Sequence, residues 1–206
     1  MKRRSMLMKK IYRTKNRIPT HKIGIIGTHR GAGVTYTALM LAFYMGEVLG
    51  KKTALLECNN HHDLIRIQNA YEWSYESSYS FSFHQITCYK EVTQKKLSDI
   101  LGASYETLIL DFGSDFITSK EGLLRCNTKV VIGSNAQWNQ QKLEEFIQAN
   151  ICIGENESWI FLIPCATSRS IRYLKGKHEY NFYSVPFEKE PTMLSKNVIK
   201  LFDELF

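Results

Sequence analysis

The sequence predicts a three-layer α/β/α fold with a mainly parallel sheet, on three observations. Short runs that are apolar throughout recur along the chain, as strands buried on both faces of a parallel sheet require. Segments of helical character alternate with them. The first such run leads directly into a glycine-rich turn and a long Pro-free helix, the start of a right-handed crossover unit. At 206 residues, 44% hydrophobic and 23% charged with 12 Gly and 4 Pro, the chain suits one sizeable core and is too short for two independent catalytic domains. Collagen-like, low-complexity and disordered classes are excluded by the same figures.

The elements follow in order. Ile23 to Thr28 (IGIIGT) is the first buried strand. Thr35 to Leu49 is rich in Ala, Leu and Met, as a buried helix would be, with Gly50 placed to cap its end. Lys52 to Glu57 (KTALLE) is a second buried strand. From Asn59 to Thr93 Tyr, Ser, His and Trp interleave without a sustained period, and the partial alternation of residues 81–89 suggests an edge strand. Thr107 to Asp111 (TLILD) is a third buried strand that ends on a carboxylate before a glycine turn. Lys129–Ile132 is a fourth, with a helix over Gln137–Gln148 after it, Trp159–Ile163 a fifth and Tyr180–Val185 a sixth. Leu194, Val198, Leu201, Phe202 and Leu205 recur at helical spacing, so the chain closes on an amphipathic helix. In such sheets ligands gather where strand C-termini meet helix N-termini, which singles out residues 28–35 and 111–115.

Charge divides the chain. The net +7 arises from residues 1–22, which hold nine Lys and Arg and no acid, the first being Glu47; the remainder carries 18 basic and 20 acidic side chains. We therefore read residues 1–21 as a basic N-terminal arm and 22–206 as one domain. The apolar run Met6-Leu7-Met8 is shorter than the roughly 7–15 residues of a secretory signal, and no run approaches the ~18 residues of a membrane span. The five cysteines are widely spaced without a C-x-x-C pair, which suits reduced thiols in a cytoplasmic protein. Residues 2–22 suit an anionic membrane, with Met6, Leu7, Met8, Ile11 and Tyr12 adding an apolar stripe, or nucleic acid, or else a solvated tail.

The first loop reads Gly27-Thr28-His29-Arg30-Gly31-Ala32-Gly33-Val34-Thr35. A P-loop has G-x-x-x-x-G-K-[ST] between strand and helix, its glycines letting backbone N–H groups encircle a phosphate. Gly33 and Thr35 are in register with that pattern, whereas Thr28 stands at the first glycine and Val34 at the lysine. On these residues the chain resembles the ParA/MinD-type ATPases, the deviant-Walker branch of the P-loop NTPases that includes the pilus-positioning TadZ and CpaE proteins. The resemblance sets the family's signature lysine on His29, two glycines on Arg30 and Gly31, the third on Gly33, the second lysine on Val34 and the magnesium-binding hydroxyl on Thr35. It matches Glu57 and Asn59 to the family's switch-like Asp-x-Asp, Asp111 to the Walker-B carboxylate, and "SVPFEKE" to the segment before the last helix. What it implies is a nucleotide site at His29, Arg30, Gly31, Ala32, Gly33, Val34, Thr35 and Tyr36, magnesium on Thr35 and Asp111, a protein partner, and a homodimer.

The departures carry chemical weight. Phosphoryl transfer is catalysed by positioning and charge. Val34 has no charge to offer, and losing one preorganised donor costs ~10²–10³ in rate. Asn59 can orient a water but cannot take its proton, and histidine is mostly neutral at pH 7. The expectation is thus a degenerate protein that binds ATP and magnesium weakly or not at all, hydrolyses inefficiently, and serves as a binding or scaffold component in positioning, partition, secretion or pilus assembly. An active, ATP-dependent dimerising switch with Arg30 replacing the lysine is the first alternative, and an ATP-dependent small-molecule synthetase the second. Bland readings stand beside these: a tight turn for Gly31 and Gly33, a helix cap for Thr35, a capping or turn carboxylate for Asp111. Asp63 suits a helix N-cap, His61, His62 and His84 lack metal spacing, and Tyr71, Trp73, Tyr75, Tyr79, Phe81 and Phe83 suit either core or a partner surface.

Overall fold

Apolar runs become strands, and the strands join one sheet. The computed structural model describes residues 19–71, 79–150 and 159–206. Their order is β1 (His21–Gly27), α1 (Val34–Phe43), β2 (Thr53–Glu57), α2 (Asp63–Ala70), β3 (Ser80–Phe83), β4 (Ile86–Tyr89), α3 (Gln94–Gly102), β5 (Thr107–Asp111), α4 (Phe116–Leu124), β6 (Thr128–Ile132), α5 (Gln137–Asn150), β7 (Trp159–Pro164), α6 (Ser168–Lys177), β8 (Asn181–Val185) and α7 (Lys196–Leu205). The strands lie in the order β3-β4-β2-β5-β1-β6-β7-β8. All neighbours are parallel except β3 and β4. Residues 1–18 of the basic arm, Trp73, Tyr75 and Cys152 lie outside the described residues.

Alternation along each strand makes two cores, one on each face. Ile23 and Ile25 of β1, Leu55 of β2 and Ile109 of β5 pack with α1, with Leu64 of α2, and with Val198 and Phe202 of α7. Ile26, Leu56, Leu108 and Leu110 pack on the other face with Ile100 of α3, Leu123 of α4, and Leu143 and Ile147 of α5. Three layers result. α1 is buried nearly all round from Thr37 to Phe43, which is why its sequence is apolar without an amphipathic stripe. It continues as one π-helical turn, Tyr44–Val48, where the Tyr44 hydroxyl donates to Asp203 Oδ1 at 2.6 Å and ties α1 to α7.

Several elements depart from the sequence reading. β1 begins at His21 and ends at Gly27, the Thr28 amide making its last ladder bond to Ile132 O. Residues 81–89 are not one edge strand but an antiparallel hairpin whose turn places His84 at φ 53. Within it Phe81 and Phe83 face the core, while Tyr71 and Tyr79 are exposed. α2, α3, α4 and α6 are helices that the sequence reading did not place. α6 has no fully buried residue; Ile171 and Leu174 pack against the core from it, a pair too short to announce a helix. Among the described residues Cys58, Cys88, Cys126 and Cys165 are free thiols, and no helix is long and apolar enough to cross a membrane.

Candidate functional site

Parallel pairing in register brings three loops together at the carboxyl edge of the sheet. Gly24 and Ile25 of β1 stand opposite Leu110 and Asp111 of β5, and Glu57 of β2 stands opposite Asp111. The loop after β1 is then fastened on both sides: Gly27 N–H donates to Gly113 O at 2.8 Å and Thr28 N–H to Ile132 O at 3.0 Å. Cys58 N–H donates to Asp111 O at 2.8 Å, joining the loop after β2 to the same centre.

The glycine turn is open. Gly31 and Gly33 have φ of 84° and 97°, conformations that cost other residues ~1–2 kcal/mol, and a side chain on either would meet nothing within 4 Å. Gly33 caps α1 without a side-chain bond, and the first internal bond of the helix is Thr37 N–H to Gly33 O. The N–H groups of the first turn therefore lack intrahelical partners and carry the positive end of the helix dipole. A cleft of about 300 Å³ lies over them. The Val34 side chain adds nothing to this chemistry: the residue is only 7% exposed and its side chain packs inward against the backbone of Gly27.

Asp111, 2% exposed, organises the floor. Its Oδ2 accepts from the Thr35 hydroxyl at 2.6 Å, and its Oδ1 accepts from Asn59 Nδ2 at 2.9 Å and Gly113 N–H at 2.9 Å. Burial pushes its carboxyl up to about 6; the bonds from Thr35 and Gly113 pull the other way, and the nearby Glu57 adds to the rise. Thr35 is thus inside the helix with its hydroxyl aimed at a carboxylate, not the helix cap of the bland reading, and Asp63 Oδ2 lies 3.4 Å from the same oxygen.

The other predicted residues divide. Asn59 also donates to Asp111 O and accepts from His61 N–H, so its amide is committed to the floor. Glu57, 1% exposed, accepts from Asp63 N–H at 2.6 Å and Leu64 N–H at 3.3 Å through Oε1. It therefore caps α2 from below the cleft. Its Oε2 is buried without a hydrogen-bond partner, and burial raises its carboxyl above the usual range despite those N–H donors. His29 pairs with the Thr28 hydroxyl at 2.9 Å, and burial, then Lys142, lower its imidazole below the ordinary value. Arg30 is exposed at the cleft, and Tyr36 also lines it while its hydroxyl donates to Glu188 O at 2.6 Å. Ala32 is buried beneath the turn.

Sequence reasoning does not single out Asp63 and Arg66 as site residues. Asp63 suits an N-cap by sequence, but it is the first helical residue, the cap position being His62. Arg66 Nη1 donates to Asp63 Oδ1 at 2.7 Å and to His61 O at 2.9 Å, and both side chains line the cleft. Asp63 and Arg66 are three apart, the spacing of a helical ion pair.

Among solved structures the chain is similar to the MinD protein of a MinC:MinD cell division complex from Aquifex aeolicus, with a TM-score of 0.68 at 11% identity over 90% of this chain and 96% of that one. It is similar to a plasmid partition protein from Borrelia burgdorferi bound to AMPPNP, with a TM-score of 0.66 at 13% identity over 90% and 96%. The fold is that of the ParA/MinD-type P-loop NTPases. A cobyrinic acid a,c-diamide synthase from Mycobacterium smegmatis shares this ParA/MinD-type architecture, with a TM-score of 0.61 at 12% identity over 90% and 92%. No family model and no curated protein matches the sequence. Within this ParA/MinD-type fold the open turn and first helical turn fit phosphate oxygens. Thr35 and Asp111 are the oxygens that could hold Mg²⁺, an ion that takes one or two carboxylates and keeps several waters.

Proposed function

We propose that this chain is a ParA/MinD-like protein with a degenerate phosphate loop, acting through binding within a positioning, partition, secretion or pilus-assembly system, with ATP hydrolysis weak or absent. One observation carries the reading: the residue in the lysine place, Val34, is buried against Gly27, while the glycine turn and the Thr35–Asp111 pair beside it are kept. Such a site retains donors for a phosphate and oxygens for magnesium but lacks the fixed charge that stabilises phosphoryl transfer. Asn59 supports the same conclusion, since an amide bonded to Asp111 takes no proton from water. Residues 22–206 form the binding domain and residues 1–21 its arm, whose cations suit an anionic membrane or nucleic acid. The setting is cytoplasmic, peripheral to a membrane where the arm engages one. Similarity to a partition protein bound to AMPPNP and to a MinC:MinD complex supports a nucleotide ligand and a protein partner, and a homodimer is what the family resemblance implies. The active switch is a second reading because Arg30 stands exposed at the cleft without a partner among the described residues.

Calorimetric titration with ATP and magnesium, paired with a phosphate-release assay, separates the two. The degenerate reading expects binding with turnover ~10²–10³ below that of a complete site, and expects Val34→Lys to tighten ATP binding. Turnover at ordinary ATPase rates with no gain from Val34→Lys favours the switch.

A further inference from the structure

We propose that Arg66, in the first turn of α2, supplies from the neighbouring loop the positive charge that the loop after β1 lacks, and that the anion it receives is the phosphate chain of a nucleoside triphosphate; this rests on the phosphate loop's being retained as proposed above. The charges around the cleft set the requirement. Asp111 lies on its floor, Asp63 on its wall, and Glu57 is buried beneath α2. A polyanion entering among these carboxylates needs cations, and the loop itself provides only Arg30. Arg66 and Arg30 both line the cleft with Gly31, Gly33 and Thr35.

Of the two arginines, Arg66 is the one already held. Its Nη1 is fixed by His61 O and Asp63 Oδ1, which leaves the remaining donors of a five-donor planar group free to meet phosphate oxygens in a fork. Arg30 sits on an exposed turn without an anchor among the described residues, so ordering it on a ligand would cost side-chain entropy that Arg66 has already lost. The anchor also reaches the metal position, because the Asp63 carboxylate that holds Arg66 through Oδ1 lies 3.4 Å from the Thr35 hydroxyl through Oδ2. Charge and hydroxyl are thereby linked through one side chain.

The test is calorimetric binding of ATP and of inorganic triphosphate, each with and without magnesium, to the full chain and to four variants. Arg66→Ala should weaken both ligands about tenfold or more, the loss expected for a charge-assisted bond, with Arg66→Lys intermediate and Arg172→Ala on exposed α6 unchanged. The double variant Asp63→Asn/Arg66→Ala should stay weak. Recovery of the double variant to wild-type affinity would mean that Arg66 only masks Asp63, and would overturn the proposal, as would an Arg66→Ala protein that binds like wild type. Absence of any triphosphate binding by the wild-type chain would remove the retained phosphate loop itself and this inference with it. Matching circular dichroism and melting of each variant confirms that the exposed substitutions leave the fold intact.

Discussion

The loops after β1 and β2 leave the same sheet edge and begin their helices in the same way, yet they treat the helix donors oppositely. Each enters its helix through a left-handed cap residue without a side-chain cap, Gly33 at φ 97 and His62 at φ 59. Above α1 the donors face open space. At α2 the first two donors are taken by Glu57 from the strand below. His62 adopts this conformation although a non-glycine residue there costs ~1–2 kcal/mol; the Glu57 bonds offset it, and the His62–Glu91 pair, about half exposed on both sides, adds little. The difference teaches where a ligand can be received. A helix whose donors are satisfied is a wall, and one whose donors are free beneath two open glycines is a seat.

Asp111 joins seat to wall, so removing it should have the largest effect. Asp111→Ala strands the Gly113 N–H and takes the shorter bonds from the Thr35 hydroxyl and the Asn59 amide, which keep Asp63 Oδ2 at 3.4 Å and Asp111 O at 3.1 Å. With one buried orphan costing ~1–3 kcal/mol and each lost bond ~0.5–1.5 kcal/mol, a loss of about 3 kcal/mol is expected in denaturant unfolding. An unchanged midpoint would mean that the two loops are held independently. Gly33→Ala strikes the seat alone. The substituted methyl meets nothing, so the expected loss of ~1–2 kcal/mol is conformational. Thermal melts should show that decrease together with loss of triphosphate binding; full stability in the alanine variant would mean that the left-handed turn is not required.

The contrast between the two loops also explains what could be read in advance. The seat was legible because its parts are contiguous: an apolar strand, two glycines, a hydroxyl and a Pro-free helix. β5 is legible to the residue, since five buried positions end on a carboxylate. The wall was not legible. Its capping carboxylate, Glu57, stands six residues from the helix it caps, whereas local signals place a cap beside the first turn, which is why Asp63 was assigned that role. The β3–β4 turn, His84-Gln85, offers neither the glycine nor the asparagine that marks a two-residue hairpin. Arg66 reaches the cleft only because β2 and β5 are neighbours, a fact of topology that no spacing discloses. Likeness to the ParA/MinD family pointed to Glu57 and Asn59 by register; the structure uses one to cap α2 and the other to hold Asp111.

Glu57→Gln sharpens the comparison with the smallest change. Burial holds this carboxyl above its ordinary value of 4.5, so the folded chain binds the proton more tightly than the unfolded chain does. Stability from this group is therefore greatest at low pH and declines as pH rises from near 4.5 through the raised folded value, then levels off. Asp111, raised to about 6, contributes with the same sign. Glutamine keeps a carbonyl for the Asp63 and Leu64 N–H groups and removes the buried charge at the position where Oε2 has no partner. The variant should unfold within about 1 kcal/mol of wild type at neutral pH, with a gentler fall in stability across the acid window because the Glu57 share is gone. Denaturant midpoints at several values between pH 4.5 and 7 measure that slope. A slope identical to wild type would mean that the proton is not taken up at Glu57, and the cap on α2 would then have to be a carboxylate that stays charged throughout.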